Sequence, residues 1–286
     1  MSAFPEKQLN SSIPKLGILT GGGNIPQTLI DHCVKSNQDF FVIAFENQCS
    51  LELGEGVPHL WARLGEAGRV IKTLKAENVT DLVLIGKIRR PSLAELKPDL
   101  KTAEFFAKEG MNAMGDDGLL KALKRFLEKE GFKIHGIQSV LPEILTPEGV
   151  ISSAKPSKHH EKDIERGCAL LDALGDQDVG QSVVVQDGHV LGIEGAEGTD
   201  GLIRRCAELQ RKGKGAVLVK LCKRSQDRDL DLPTIGPQTI EELGTAGFAG
   251  LAIHAGASIV DDPDRVKTLA KAQKIFVKGI HPTDYM

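Results

Sequence analysis

The sequence predicts an α/β protein of two domains, and three observations carry that reading. From Lys15 onward, apolar runs of strand length alternate with segments of helical periodicity, the pattern of a parallel sheet with crossover helices. The first of these runs leads through a glycine turn into a helix. The 286 residues suffice for two domains of ordinary size, and the composition shifts to Pro, Ser, Lys and His between Pro142 and His160, as at a crossover. The expected boundaries are a loose polar leader over 1–14, a first domain over 15–145, a linker over 146–162 and a second domain over 163–286.

Lys15 to Thr20 (KLGILT) reads as a buried strand, followed by Gly21-Gly22-Gly23-Asn24-Ile25-Pro26 and a helix from Gln27 to Ser36. Strand, glycine turn and helix let a phosphate approach bare backbone N–H groups at a helix N-terminus; the plain alternative is a tight turn with no ligand. Pro26 suits the first helical turn. It also stands where the dinucleotide fingerprint G-x-G-x-x-G needs its third glycine, and no G-x-x-x-x-G-K-[ST] occurs. Asp39 to Phe45 reads as a strand, Gly65 to Asn78 as a helix, and Asp81 to Ile88 as a strand ending before Arg89-Arg90-Pro91. Ligands of parallel sheets sit at the carboxyl ends of strands, so Gly21 to Gly23 and Lys87 to Arg90 could share a rim. A solvated basic turn is the commoner outcome for Arg89 and Arg90. Gly115-Asp116-Asp117-Gly118 opens a helix, Leu119 to Glu130, with acids where the helix dipole favours them; simple capping accounts for the pair. A strand from Lys133 to Leu141 closes the first unit.

Within the crossover, His159 and His160 are adjacent and face different ways, a poor metal pair. The second unit starts with a helix, Asp163 to Leu174, and a hairpin of Gln181 to Gln186 with His189 to Glu194. Asp187-Gly188 between them signals a type I′ turn. Glu197-Gly198-Thr199-Asp200 leads into a helix from Gly201 to Lys212, with Thr199 or Asp200 as N-cap and the bare N–H groups as an anion site or a mere cap. The tail reads as helix (Pro237 to Ala246), strand (Gly250 to Ala255), helix (Pro263 to Ala272) and strand (Ile275 to Ile280).

The densest chemistry follows the strand Gly215 to Leu221. Asp227, Asp229 and Asp231 alternate, and in an extended segment they would share one face about 7 Å apart, with Leu230 and Leu232 turned toward a core. Three neighbouring carboxylates stay ionised together only if solvated or joined by a cation. Lys220, Lys223 and Arg224 lie just upstream, so the segment could hold both a divalent metal and a phosphate-like group. The alternative is a solvated, charged loop.

Composition narrows the classes. A net charge of −3, one Trp and one Tyr argue against a nucleic-acid partner. Five widely spaced cysteines without a CxxC pair suggest neither a disulfide framework nor a structural zinc site. No signal-peptide core or spanning run is present, which places the protein in a reducing cytoplasm and leaves a peripheral visit to a membrane open.

Several stretches together resemble one family. Lys15 to Pro26, Gly115-Asp116-Asp117-Gly-Leu-Leu120, Asp178-Val-Gly-Gln181, Glu197-Gly-Thr-Asp200 and Asp231-Leu-Pro-Thr-Ile-Gly236 are similar, in order and spacing, to the UDP-2,3-diacylglucosamine pyrophosphatase family called LpxI. The resemblance runs through nearly the whole chain from Lys15. It implies a Rossmann-like N-terminal domain with a parallel sheet, joined to a second α/β domain of unusual fold, with substrate held between the two. It also implies hydrolysis of UDP-2,3-diacylglucosamine to UMP and 2,3-diacylglucosamine 1-phosphate (lipid X) in lipid A synthesis of Gram-negative bacteria, with Mg²⁺ and a homodimer. Water attacks the phosphorus nearer the glucosamine by family precedent, and the lipid substrate suggests contact with the cytoplasmic face of the inner membrane.

The family's essential aspartate precedes Leu-Pro-Thr-Ile-Gly and so falls on Asp231. Gly22 and Gly23 match the nucleotide-side glycine turn, and Gln181, Thr199, Asp200, Lys220 and Lys223 match positions expected on the diphosphate or sugar. In the chemistry this suggests, Asp231 holds the metal or orients the attacking water, Asp227 is a second metal ligand, and Lys220 and Lys223 neutralise the phosphates. The chain departs from the family pattern at two places: Asp229 stands where an arginine is expected and Arg228 comes one position early, while Lys87 replaces an Asn and inherits no role. Two rivals stand beside this reading. One is a nicotinamide-dependent oxidoreductase, weakened by Pro26 and by the lack of a Tyr-x-x-x-Lys; the other is a non-catalytic nucleotide-sugar sensor.

Overall fold

A computed structural model describes residues 15–89, 92–109, 116–175, 179–224 and 226–285, with backbone alone at 93, 94, 109, 116 and 117. The leader 1–14, Arg90, Gly115 and Asp178 lie outside the described residues. The chain forms two units, 1–142 and 143–286.

The first unit takes its order from the apolar runs. Strands β1 (Leu16–Thr20), β2 (Phe40–Phe45), β3 (His59–Ala62), β4 (Asp81–Ile85) and β5 (Lys133–His135) form one sheet in the order β3-β2-β1-β4-β5. All four pairings are parallel. The central strands are uniformly apolar because helices α1 (Ile25–Lys35), α2 (Ala67–Ala76), α3 (Leu93–Leu96), α4 (Leu100–Glu109) and α5 (Asp116–Lys129) accompany the sheet, as parallel sheets require. Leu16, Ile18, Val42, Ile43 and Leu82 are fully buried. The Rossmann-like parallel sheet expected from the sequence is therefore present.

Two strand ends differ from the expectation. The run Asp81 to Ile88 stops as a strand at Ile85, because Gly86 turns at φ +95° and Lys87 folds back to bridge Gly22. The run Lys133 to Leu141 leaves the sheet after His135, and Ile137–Ser139 coils into a 3₁₀ turn.

The second unit contains β6 (Gly149–Val150), α6 (Lys158–Leu174), β7 (Ser182–Gln186), β8 (His189–Ile193), α7 (Gly198–Ala207), β9 (Val217–Lys220), β10 (Thr234–Ile235), α8 (Pro237–Thr245), β11 (Gly250–His254), β12 (Ile259–Val260), α9 (Pro263–Gln273) and β13 (Phe276–Ile280). Six strands form a mixed sheet, β6-β13-β11-β9-β7-β8, and β10 pairs with β12 apart from it. β9, β11 and β13 run parallel, whereas β6, β7 and β8 each oppose the neighbour toward the sheet centre. Side chains alternate across it. Val217 and Val219 pack with Ile164, Cys168 and Leu171 of α6, while Leu218 packs on the other face with residues of α7, α8 and α9.

Residues 146–162 do more than link. Gly149 and Val150 pair with β13, and α6 starts at Lys158, five residues before the expected Asp163. Ser157 caps α6 through the His160 N–H, and His160 Nδ1 accepts the Ser157 N–H at 3.2 Å. With Nδ1 an acceptor, Nε2 carries the proton and donates to the Lys214 carbonyl at 3.0 Å. His159 instead contacts Asp187, so the two rings diverge as adjacency implies. Asp187 and Gly188 both adopt positive φ, 53° and 76°, as a type I′ turn demands. All five cysteines are free thiols.

Candidate active site

In the second unit, sequence and topology bring most of the predicted residues to one edge of the mixed sheet. This edge collects the carboxyl ends of β8, β9, β11 and β13, and because β7 runs against β9, also the amino end of β7. Ser182 lies opposite Lys220, and the Leu221 N–H donates to the Gln181 carbonyl at 2.9 Å.

Lys220 ends β9 and is only 3% exposed. Its Nζ donates to Thr199 Oγ1 at 2.6 Å and to Ser182 Oγ at 3.4 Å. Thr199 in turn donates to Glu194 Oε1 at 3.1 Å. Glu194, 7% exposed, thus joins the buried ammonium through one hydroxyl. Burying a cation is costly unless charge and hydrogen bonds compensate it, and this relay supplies both. Sequence reasoning passed over Glu194, whose place at the end of a hairpin strand gives no sign that it turns inward.

Thr199 and Asp200 do not cap α7 as expected. The helix starts at Gly198 with Glu197 as N-cap, so both lie within the first turn. Asp200 Oδ2 accepts from Gln238 Nε2 of α8 at 3.0 Å, which ties the two helix starts together.

The acidic segment is coiled rather than extended. Leu230 and Asp231 N–H groups both reach the Asp227 carbonyl, at 3.0 and 3.1 Å, and the Asp229 N–H reaches Asp227 Oδ1 at 3.0 Å. Asp227 therefore works as the side-chain anchor of a turn, a role that Asp-x-Asp favours. Gln226 holds the segment's end in place: its Oε1 accepts the Lys223 N–H at 3.2 Å and its Nε2 donates to Asp231 Oδ2 at 2.7 Å. Asp231 itself is exposed.

Beside this turn lies a cavity of roughly 290 Å³. Gln181, Cys222, Lys223, Arg224, Arg228 and His254 line it, closed by the C-terminal end of α6 and by Pro282 and Thr283. Arg224 pairs with Asp172 at its wall. Cys222 feels Arg228 and Asp231 from opposite electrostatic sides, but burial dominates and pushes its thiol pKa up, away from thiolate chemistry. At His254, burial first, then the Arg228 and His281 charges, drive the imidazole pKa down to about 4. His254 closes an apolar parallel strand, and a polar residue at such an end is a recognisable site signal that the sequence reading missed.

The first unit places Gly22 and Gly23 differently from each other. The Gly22 N–H donates to the Lys87 carbonyl at 2.8 Å, and the Gly22 carbonyl accepts the Lys87 N–H in return at 2.8 Å, so the Gly22 amide is not bare. A Cβ at Gly21 would lie 2.3 Å from the Lys87 carbonyl oxygen, and one at Gly22 2.8 Å from that of Gln48. These two glycines permit close backbone approach. Gly23 is exposed at φ +99°, just before the N-terminus of α1.

No group of three or more His, Cys, Asp or Glu side chains that could hold a metal ion is gathered among the described residues. Mg²⁺ makes no demand for such a cluster, since it is held by one or two carboxylates and completed by water and substrate phosphates. Asp231, exposed beside a cationic cavity, fits such a role; Asp227 Oδ1 already accepts the Asp229 N–H.

Among solved structures, the Bordetella bronchiseptica enzyme WbmG in complex with NAD superposes with a TM-score of 0.26 at 16% identity, over 41% of this chain and 36% of that one, too low to carry an argument. The UDP-2,3-diacylglucosamine pyrophosphatase LpxI of Caulobacter vibrioides is 34% identical over 277 residues, covering 94% of this chain and 99% of that protein. The LpxI N-terminal domain model matches residues 15–144 and the LpxI C-terminal domain model residues 147–278, and with both halves matched in order the chain belongs to the LpxI family.

Proposed function

We propose that this protein hydrolyses the diphosphate of UDP-2,3-diacylglucosamine, releasing UMP and 2,3-diacylglucosamine 1-phosphate for lipid A synthesis. The observation that carries the reading is the placement of Asp231, held by Gln226, beside a cavity walled by Lys223, Arg224 and Arg228, in a chain similar end to end to a protein of that name. A diphosphate diester resists attack because its oxygens are anionic and its leaving group departs with charge. Lys223 and Arg228 offset that charge at the cavity, and buried Lys220 holds Thr199 at the start of α7. Asp231 orients or deprotonates the attacking water. The water oxygen bonds to one phosphorus, the bridging P–O bond breaks, and each product leaves as a phosphomonoester. Asp231, with Asp227, would hold Mg²⁺, which when bound supplies further charge to the nonbridging oxygens.

Gln181, Thr199 and Asp200 are assigned to the substrate on this reading, and Gly23 with the start of α1 to the nucleotide side; the occupied Gly22 amide removes that residue as a donor. On this reading the reaction takes place in the cytoplasm at the inner-membrane face, and the family resemblance favours a homodimer. Among the described residues no helix is long and apolar enough to cross a membrane. The test is incubation with UDP-2,3-diacylglucosamine and Mg²⁺, with and without EDTA, and chromatography for UMP. UMP release that EDTA stops is expected. No release would defeat the hydrolase reading, and release indifferent to EDTA would defeat the metal.

A further inference from the structure

One wall of the cavity is fastened to the rest of the fold through a single side chain. β13 leaves the sheet at Ile280, whose carbonyl accepts the Ala255 N–H at 2.8 Å. Pro282 follows, and since proline has no N–H to donate, strand pairing does not continue there. Pro282–Tyr285 coils into a 3₁₀ turn instead, with the Asp284 N–H on the His281 carbonyl at 3.0 Å. This turn lies against α6, and Pro282 and Thr283 line the cavity together with Lys223, Arg224 and Arg228.

What holds the turn down is Tyr285, the only tyrosine in the sequence. Its ring packs on the core between α6 and the sheet. Its hydroxyl donates to Glu161 Oε2 of α6 at 2.7 Å and accepts from Lys278 Nζ of β13 at 2.7 Å, while Lys278 also reaches Glu161 Oε1 at 2.8 Å. Three segments are thus joined by a closed set of hydrogen bonds with ionised members, the stronger kind. Burial, first, and the Glu161 carboxylate raise the phenol pKa against the pull of Lys278, so the group stays a neutral donor. Among the described residues, every hydrogen bond from 281–285 to another segment ends on this hydroxyl, and His281 adds only a contact with exposed Glu148 at 3.6 Å. Tyr285, Glu161 and Lys278 do not themselves line the cavity.

We infer that residues 281–285 form a strap on the cavity wall and that Tyr285, with Glu161 and Lys278, is its latch. Tyr285 is then a positioning residue, which fixes Pro282 and Thr283 without touching substrate; its part in the reaction rests on the proposed function. A strap fastened before substrate arrives spares binding the cost of ordering it. Releasing the latch lowers the fraction of protein ready to bind, and apparent affinity falls by that fraction. Asp231 and its brace Gln226 lie on another segment, so the chemical step itself is left alone.

Hydrogen exchange and kinetics of the whole chain test this together. Tyr285→Ala removes ring and hydroxyl, Tyr285→Phe the hydroxyl alone. In Tyr285→Ala the backbone amides of 283–285 should exchange roughly 10-fold faster or more, while those of β11 and β13 keep their rates, as in local opening. KM for UDP-2,3-diacylglucosamine should rise about 10-fold in Tyr285→Ala and about threefold in Tyr285→Phe, with kcat within about twofold of wild type. A merely structural role would do the reverse, lowering kcat with the folded fraction and leaving KM unchanged. Glu161→Leu should also raise KM, and combined with Tyr285→Phe it should fall short of the product of the two effects. A full product would overturn the latch. Unchanged exchange at 283–285 overturns the strap, and faster exchange with unchanged KM overturns its part in the reaction. Should wild type release no UMP, the hydrolase reading falls and exchange alone decides the strap. Should Tyr285→Ala not fold, Tyr285→Phe carries the same outcomes at its smaller size.

Discussion

Gln226 donates its side-chain N–H to Asp231 Oδ2 at 2.7 Å, so an exposed carboxylate is held in one orientation by a neutral amide. Asp231→Asn can still accept that bond but has no charge. Stability should change by less than about 0.5 kcal/mol, as for other exposed sites, while hydrolysis falls by roughly 100- to 1,000-fold and substrate still binds. Kinetics beside a melting curve check this, and wild-type turnover by the variant would end the assignment.

Gln226→Leu removes the brace and leaves the acid. Turnover should drop by about 10-fold or more with the melting temperature nearly unchanged, the size seen when groups orienting an active carboxylate are lost. An unaltered rate would show that Asp231 needs no orientation.

Lys220→Met should behave in the opposite way to Asp231→Asn. The Thr199 hydroxyl and the Glu194 carboxylate lose their buried cation, which should cost about 1–3 kcal/mol in urea denaturation. A double variant that also carries Glu194→Gln should recover part of the loss. No recovery would mean that the relay through Thr199 does not couple the two charges.

Much of this was legible in the chain. The apolar runs of β1, β2, β9, β11 and β13, and the Asp187-Gly188 turn, stand out because burial on both faces and positive φ demand particular residues. His59 to Ala62 was passed over: β3 is an edge strand, half-buried, and lacks alternation. The two-residue strands β6, β10 and β12 are fixed only by partners distant in sequence. The acids at 227, 229 and 231 mimic strand periodicity, but a local Asx turn wins because Asp227 captures the Asp229 N–H. The pairing of the Gly22 amide was not legible for a related reason, since its partner lies at Lys87, 65 residues on by the numbering.

That long-range pairing gives a fourth test. Gly21→Ala would push a methyl to 2.3 Å from the Lys87 carbonyl oxygen, which is backbone and cannot swing away. A loss of about 1–3 kcal/mol is expected for the first unit. Gly54→Ala, with nothing within 4 Å, should cost far less. Equal costs would refute the close-approach account.

His254 ties stability to pH. The unfolded imidazole titrates near 6.5, the folded one near 4, so below 6.5 the unfolded chain binds a proton that the folded chain refuses. Stability from this group is full above about pH 6.5 and is lost as pH falls toward 4. Allowing for solvent screening, wild type should lose about 1–2 kcal/mol relative to His254→Asn between pH 7 and pH 5. Urea midpoints that fall in parallel for the two proteins would contradict it.

The reversed direction of β7 has a practical corollary. Since the strand begins at the working rim, its hairpin tip at Asp187-Gly188 hangs from the far side of the sheet, tethered to Asp163 of α6 by N–H bonds at 3.1 and 2.7 Å. A spectroscopic label or affinity handle for immobilisation grafted at neighbouring His189, exposed and at the end of the sheet opposite the proposed site, should therefore leave turnover untouched. The same graft at Gly180 would abut the Glu194 backbone and disable the enzyme.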